Sequence, residues 1–245
     1  MTEESVSTER RVPWTVRDMV VASLAALGLF IVGIALLAMA QFLWTASGRE
    51  APGQGVQALA IFTLEAILIL PAWWWGPRKY GGGWRVLGLR RSPSWNMIGA
   101  VALGLVLTLA INAGWEQVRQ RLGWAGQPEV LPLFGGGIQG LLLALFLGGV
   151  VASVAEEIFF RGYLYPGLRD RLGLGWGLVL SSAIFSVVHV FPGVLVPIFL
   201  MGLIFAWLYE RYDSLWPCIL LHSAVNTLAF LAAFAVERFP HLMGG

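Results

Sequence analysis

Seven stretches of this chain run for about the length of a bilayer crossing with little or no charge. They are Val20–Trp44, Gly55–Trp75, Met97–Trp115, Gly135–Ala155, Leu174–Val190, Gly193–Tyr209 and Leu215–Val236. A hydrocarbon core about 30 Å thick is crossed by about 20 residues of helix. Inside lipid the backbone finds no water, so each stretch must satisfy its own N–H and C=O groups and forms a helix rather than a strand. Composition agrees: 58% of residues are apolar and 12% charged, and the mean hydropathy of +0.74 excludes an ordinary water-soluble domain. The expected fold is all-α, a polytopic bundle of about seven to eight membrane helices around an intramembrane polar cavity.

Basic residues orient the bundle. Alternating the connections from a cytoplasmic N-terminus puts Arg10, Arg11, Arg17, Arg78, Lys79, Arg85, Arg90, Arg91, Arg161, Arg169, Arg171 and Arg211 inside. Arg49, Arg119, Arg121 and Arg238 fall outside. This excess favours a multi-pass protein of the cell (inner) membrane with its N-terminus in the cytoplasm. The same asymmetry accounts for the net charge of +2, and no basic, aromatic-laced patch points to nucleic acid. The first run exceeds the 7–15 residues of a signal-peptide core, so it is expected to stay as a membrane helix. The tryptophan-rich basic connection Gly76–Asn96 suits the inner interface. The lone Cys218 excludes an internal disulfide.

The informative residues are those that lipid rejects. In "SVAEEIFFRGYLYPGL", Glu156, Glu157 and Arg161 follow an uncharged run. Unpaired near mid-bilayer they would cost about 7–10 kcal/mol together. Further along come Phe185 and His189 in "FSVVHVF", and His222 and Asn226 in "HSAVN". Each of Glu157/Arg161, Phe185/His189 and His222/Asn226 is an i,i+4 pair and shares a helix face. The midpoint between Glu156 and His189 is the glycine-bearing turn at Leu172–Gly173, so a hairpin there would bring the two level. From the Asp213–Ser214 turn His222 lies only about 13 Å in at 1.5 Å per residue, shallower than His189. A carboxylate, two imidazoles and an amide in an apolar setting form a catalytic set. Glutamate can take a proton from water, histidine can assist or bind an oxyanion, and the asparagine amide can donate to that oxyanion.

These residues resemble the three motifs of the CPBP intramembrane protease family, the CAAX proteases and bacteriocin-processing proteins that include type II CAAX prenyl endopeptidases. The likeness is carried by Glu156-Glu157-xxx-Arg161, Phe185-xxx-His189 and His222-xxx-Asn226. "LGLRR" at Leu87–Arg91 is similar to the family's upstream segment. The resemblance spans roughly residues 138–232. It implies that Glu156, helped by His189, activates water, that His222 and Asn226 hold the oxyanion, and that Glu157 and Arg161 brace the site. It implies as substrate a membrane-associated peptide or protein. Glu156, His189 and His222 could ligate zinc with water in the fourth position, but no HExxH helix is present, and activation without a tightly bound metal is expected.

The expected organisation is membrane helices and interfacial connections over 1–134, a catalytic core of four membrane helices over 135–236, and a tail over 237–245. Other arrangements compete with this one: a Cys218–His222 thiol–imidazole pair, and a serine site using Ser181 or Ser182 with His189. Glu65, in the middle of the second run, either lines the cavity or pairs with Asn112. His241 reads as a solvated tail residue. The rival class is a non-enzymatic membrane scaffold, an immunity protein or a transporter using the same polar cavity.

Overall fold

The computed structural model describes residues 12–90 and 94–239, so Arg10, Arg11, Arg91 and His241 lie outside the described residues. All regular structure among the described residues is helical. Six helical runs are long and apolar enough to cross a membrane, where the sequence suggests seven to eight. The chain is a helical integral membrane protein.

Helix α1, Val16–Ala46, opens with a capping box, Thr15 accepting from the Asp18 backbone while the Asp18 carboxylate accepts from Thr15. Asp18 also takes Lys79 Nζ at 2.6 Å and the Tyr80 hydroxyl at 2.6 Å, which ties the helix start to the 76–82 connection. Farther along, Leu24, Leu36 and Phe42 are exposed, as a lipid-facing surface requires.

The second run is interrupted. Helix α2, Gln54–Ala66, ends just before α3, Ile69–Trp73. Pro71 has no N–H to give the Ile67 carbonyl, which accepts from Leu70 instead at 2.9 Å. The tightened turn follows directly on Glu65, whose carbonyl accepts from Leu68 at 3.0 Å. A π-helical stretch, Trp74–Arg78, kinks at Gly76 before Pro77. Helix α4, Trp95–Arg121, is capped by the Ser94 side chain.

The fourth run, Gly137–Val187, accounts for the difference in helix count. It comprises α5 (Gly137–Ala144), a π-helical stretch (Leu145–Val151), α6 (Ala152–Glu157), a second π-helical stretch (Ile158–Leu164) and α7 (Tyr165–Val187). At Gly173 the backbone takes φ 80° and ψ 169°, a region open essentially to glycine, and the chain turns back. The limbs then face each other, with the Phe160 and Phe185 rings 5.0 Å apart. The hairpin expected from the Glu156–His189 midpoint is present.

Helices α8 (Leu195–Tyr212) and α9 (Trp216–Arg238) form the last hairpin, with Asp213 left-handed at the turn. That turn is roofed by the 83–90 segment. The Leu215 N–H donates to the Gly88 carbonyl at 3.0 Å, Arg90 pairs with Asp213, and Ser214 and Leu215 are fully buried.

One end of the bundle therefore gathers the start of α1, the 76–90 connection and both turns. Val12 donates to Asp170 there at 2.6 Å, and the Trp14 indole donates to the Tyr163 carbonyl at 3.1 Å. At the opposite end, the Trp115 indole donates to the Gly193 carbonyl at 2.6 Å. Arg161 belongs to neither end. It is 1% exposed and leaves the count of basic surface residues.

Candidate active site

Glu157, on the last turn of α6, organises the centre of the polar layer. Its Oε1 accepts from Arg161 Nη1 at 3.0 Å, one turn along the π-helical stretch, and from His222 Nδ1 of α9 at 2.8 Å. Glu157 is 0% and His222 4% exposed, so these bonds lie away from solvent. The guanidinium carbon of Arg161 stands 4.0 Å over the Phe185 ring and 4.9 Å over Phe205. Cation–π contact and the Glu157 charge together compensate for its burial. Its other arm reaches the Gly202 carbonyl at 3.5 Å. Glycine is needed there because an added Cβ would sit 2.9 Å from Ser182 Cβ, and this close packing of α7 on α8 brings the carbonyl in.

A carboxylate only accepts, so Nδ1 of His222 carries hydrogen and Nε2 is the nitrogen left for chemistry. Nε2 points to Glu156, whose Oε2 lies 3.8 Å away. That oxygen is buried and has no hydrogen-bond partner among the described residues. The imidazole is held flat on Phe205, with ring centroids 5.1 Å apart and planes at 24°.

The shallow placement expected for His222 is counted from an uncovered turn. The Asp213–Ser214 turn instead lies beneath the 83–90 segment, and His222 is buried. His222 meets Glu157, and Gly88 and Arg90 of the upstream segment hold the turn through Leu215 and Asp213.

His189 is placed differently. It closes α7, and its Nδ1 donates to the Phe185 carbonyl at 2.8 Å. The next residue, Val190, has φ 55°, and Phe191 N–H donates to His189 O at 2.7 Å. This is a strained γ-turn around a β-branched residue. Both imidazoles abut the Phe185 ring, His189 at 4.9 Å and His222 at 6.0 Å between centroids. No direct bond joins His189 to Glu156 among the described residues. The help expected from His189 is therefore not a contact in this state.

Asn226 shares the His222 face as the i,i+4 spacing requires. Its amide donates to the Gly148 carbonyl at 3.1 Å, in the π-helical stretch of the fourth run, and to Ser153 Oγ at 3.3 Å. Ser153, Gly148 and Phe205 do not stand out in the motifs read from the sequence. Ser153 carries a readable signal as a hydroxyl three residues before Glu156 on the same apolar run; the other two carry none.

The remaining candidates separate cleanly. The Cys218 thiol donates to the Phe205 carbonyl at 3.1 Å and is not paired with His222. Ser181 and Ser182 both donate to the Leu178 carbonyl of their own helix. Asn112 donates to the Thr108 carbonyl and faces Met201 Sδ, so the Glu65–Asn112 contact is absent. Two open cavities lie elsewhere, beside Trp74–Lys79 and around Tyr80, Arg90 and Arg169.

The zinc alternative can be tested against this donor set. Glu156 and His222 are adjacent, but His189 is not drawn in, and no three His, Cys, Asp or Glu side chains among the described residues form a metal-holding group. The arrangement does not fit a three-ligand zinc site, and no step below runs through one.

Comparison with known proteins bears on the segment that carries these residues. Residues 138–228 match the family described as type II CAAX prenyl endopeptidase Rce1-like, a span that holds all seven motif residues. The resemblance read from the motifs is thereby shown over that segment. The chain is similar to the "Putative membrane peptidase YdiL" of Bacillus subtilis (strain 168), 31% identical over 94 residues, 38% of each chain. It is also similar to the "UPF0177 protein YxdF" of Lactococcus lactis subsp. lactis (strain IL1403), 24% identical over 104 residues. That match covers 42% of this chain and 57% of the relative. The matches thus span less than two thirds of either relative. No solved structure matches it.

Proposed function

We propose that this protein is an intramembrane endopeptidase that hydrolyses a peptide bond of a membrane-associated peptide or protein with water activated by Glu156. The observation that carries this reading is the unpartnered, buried Glu156 Oε2 facing His222 Nε2 at 3.8 Å. A carboxylate without a donor in an apolar setting is a strong base toward a water placed beside it. The family match and the peptidase name of a relative support the same class of reaction.

The neighbours take complementary roles. Glu157 orients His222 through Nδ1, and Arg161 balances the Glu157 charge. An imidazolium at His222 would likewise balance Glu156 and present Nε2–H to the tetrahedral oxyanion. Asn226 joins as a second donor by releasing its longer bond, to Ser153. Such preorganised donors are worth most where water is excluded. His189, beside the shared Phe185 ring, comes into play only if the strained turn at Val190 moves.

The test is a pool of lipidated and transmembrane peptides reconstituted in liposomes with the purified protein. Wild type should release defined fragments by mass spectrometry, and Glu156→Gln should not. Fragment release by Glu156→Gln at the wild-type rate would favour the scaffold class instead.

A further inference from the structure

A second carboxyl group, with one oxygen buried, stands on a helix packed against the one that carries the proposed base. Glu65 stands at the C-terminal end of α2, where the Pro71 break tightens the following turn, and α2 packs on α6, which carries Glu156. Its Oε2 is buried without a hydrogen-bond partner, as is that of Glu156, and Glu65 lies within reach of the Glu156 charge. It makes no ion pair among the described residues. Glu65 falls outside the matched segment 138–228, and the three motifs do not include it. Among the described residues no donor, cation or helix-bridging bond to Glu65 Oε2 gives it a structural role.

We propose that Glu65 is a further catalytic residue, the acid that delivers a proton to the departing amine nitrogen; this rests on the endopeptidase reading above. Two carboxyl groups within reach of each other's charge in poorly solvated surroundings do not both stay ionised, so the pair holds one proton between them. Glu156 has Nε2 of His222 at 3.8 Å, which favours its charge when the ring is the imidazolium described above, and Glu65 has no such neighbour among the described residues, so the proton belongs on Glu65. The cycle then balances. Water forms the new C–O bond while Glu156 takes its proton. As the C–N bond breaks, the Glu65 proton passes to nitrogen, giving an amine and a carboxylic acid that exchange their last proton. Transfer from Glu156 back to Glu65 resets the pair, and no other reactant is consumed. Paired carboxyl groups with opposed protonation are a general route to acid and base chemistry at one pH.

An ester with an aryl leaving group separates this role from packing, because phenolate departs without a proton. The probe is the peptide that wild type cleaves in the liposome pool, beside an analogue with the same acyl side and a nitrophenyl ester at the scissile position. Glu65→Gln should lower kcat for the amide by about 10²-fold or more with KM little changed, while ester cleavage stays near wild type. Glu65→Asp should recover part of the amide rate. Equal loss on amide and ester, or an amide rate like wild type, would overturn the assignment. Glu156→Gln should slow both substrates; if it slows neither, the endopeptidase reading falls irrespective of Glu65. A wild-type protein that cleaves no peptide overturns both.

Discussion

Glu157 and His222, sixty-five residues apart in sequence, meet at 2.8 Å through Oε1 and Nδ1. The same oxygen binds Arg161, so one carboxylate atom fixes a buried cation and aims the imidazole proposed to hold the oxyanion. Stability and chemistry therefore share a single group.

That sharing makes a separable prediction. Glu157→Gln leaves the Arg161 charge enclosed by phenyl rings, and breaking a buried pair costs about 3–5 kcal/mol. Its melting midpoint in detergent should drop sharply. A Glu157→Leu/Arg161→Met double variant removes both charges and should recover much of the loss, because apolar replacement of a buried pair is often neutral. It should nonetheless cleave slowly, since His222 has lost its orienting partner. A double variant as unstable as both single variants summed would show that the pair is not coupled.

The Gly173 hairpin makes a second prediction. Gly173→Ala must hold an alanine at φ 80° and ψ 169°, at a cost of about 1–3 kcal/mol. Gly175, two residues on, has open space where a Cβ would sit and no positive φ. Gly175→Ala should therefore melt at or slightly above the wild-type temperature. Equal midpoints for the two variants would mean that the turn is not held as described.

How much of the fold and site is legible in the sequence depends on distance along the chain. The Glu157–Arg161 pair is an i,i+4 relation, and the Gly173 turn is the midpoint of two motif residues with glycine at hand; both can be read directly. His222 comes out too shallow when its depth is counted from a turn assumed to lie at the surface. Nothing within residues 213–226 reveals that Gly88 and Arg90, more than a hundred residues upstream, cover that turn. Glu65 is visible as an oddity, and of its two readings the pairing with Asn112 fails, because Asn112 is satisfied on its own helix by the Thr108 carbonyl. The π-helical stretches that place Gly148 and Arg161 have no sequence period of their own. Local relations follow from helical geometry, whereas depth is set by contacts between distant segments.

Orientation is open to a direct measurement. Cys218 is buried, so a Cys218→Ala background should label only at introduced cysteines. Cysteines placed in the 79–85 connection and at Leu172 should react from the cytoplasmic side in intact cells, as the basic end of the bundle requires. A cysteine at Gly126 should react from the other side. Labelling in the reverse sense would invert the topology without disturbing the site.

Glu156, His222 and Asn226 should differ in how they divide their effects between rate and stability. Glu156 Oε2 has no hydrogen-bond partner to lose among the described residues, so Glu156→Gln should melt like wild type while its kcat falls by about 10²–10⁴-fold. His222→Ala removes an oxyanion donor, about 10²–10³-fold in kcat, and also strips Glu157 of a bond, so its midpoint should fall as well. Asn226→Ala should lose a comparable factor in rate with a smaller shift in midpoint, because Gly148 and Ser153 keep contacts within their own helix. Ser153, for one, still donates to the Gly149 carbonyl at 2.9 Å. Each variant is read by fragment release from liposomes beside a thermal melt of the same preparation. A Glu156→Gln protein that melts early but cleaves normally would make Glu156 a packing residue and move the base elsewhere.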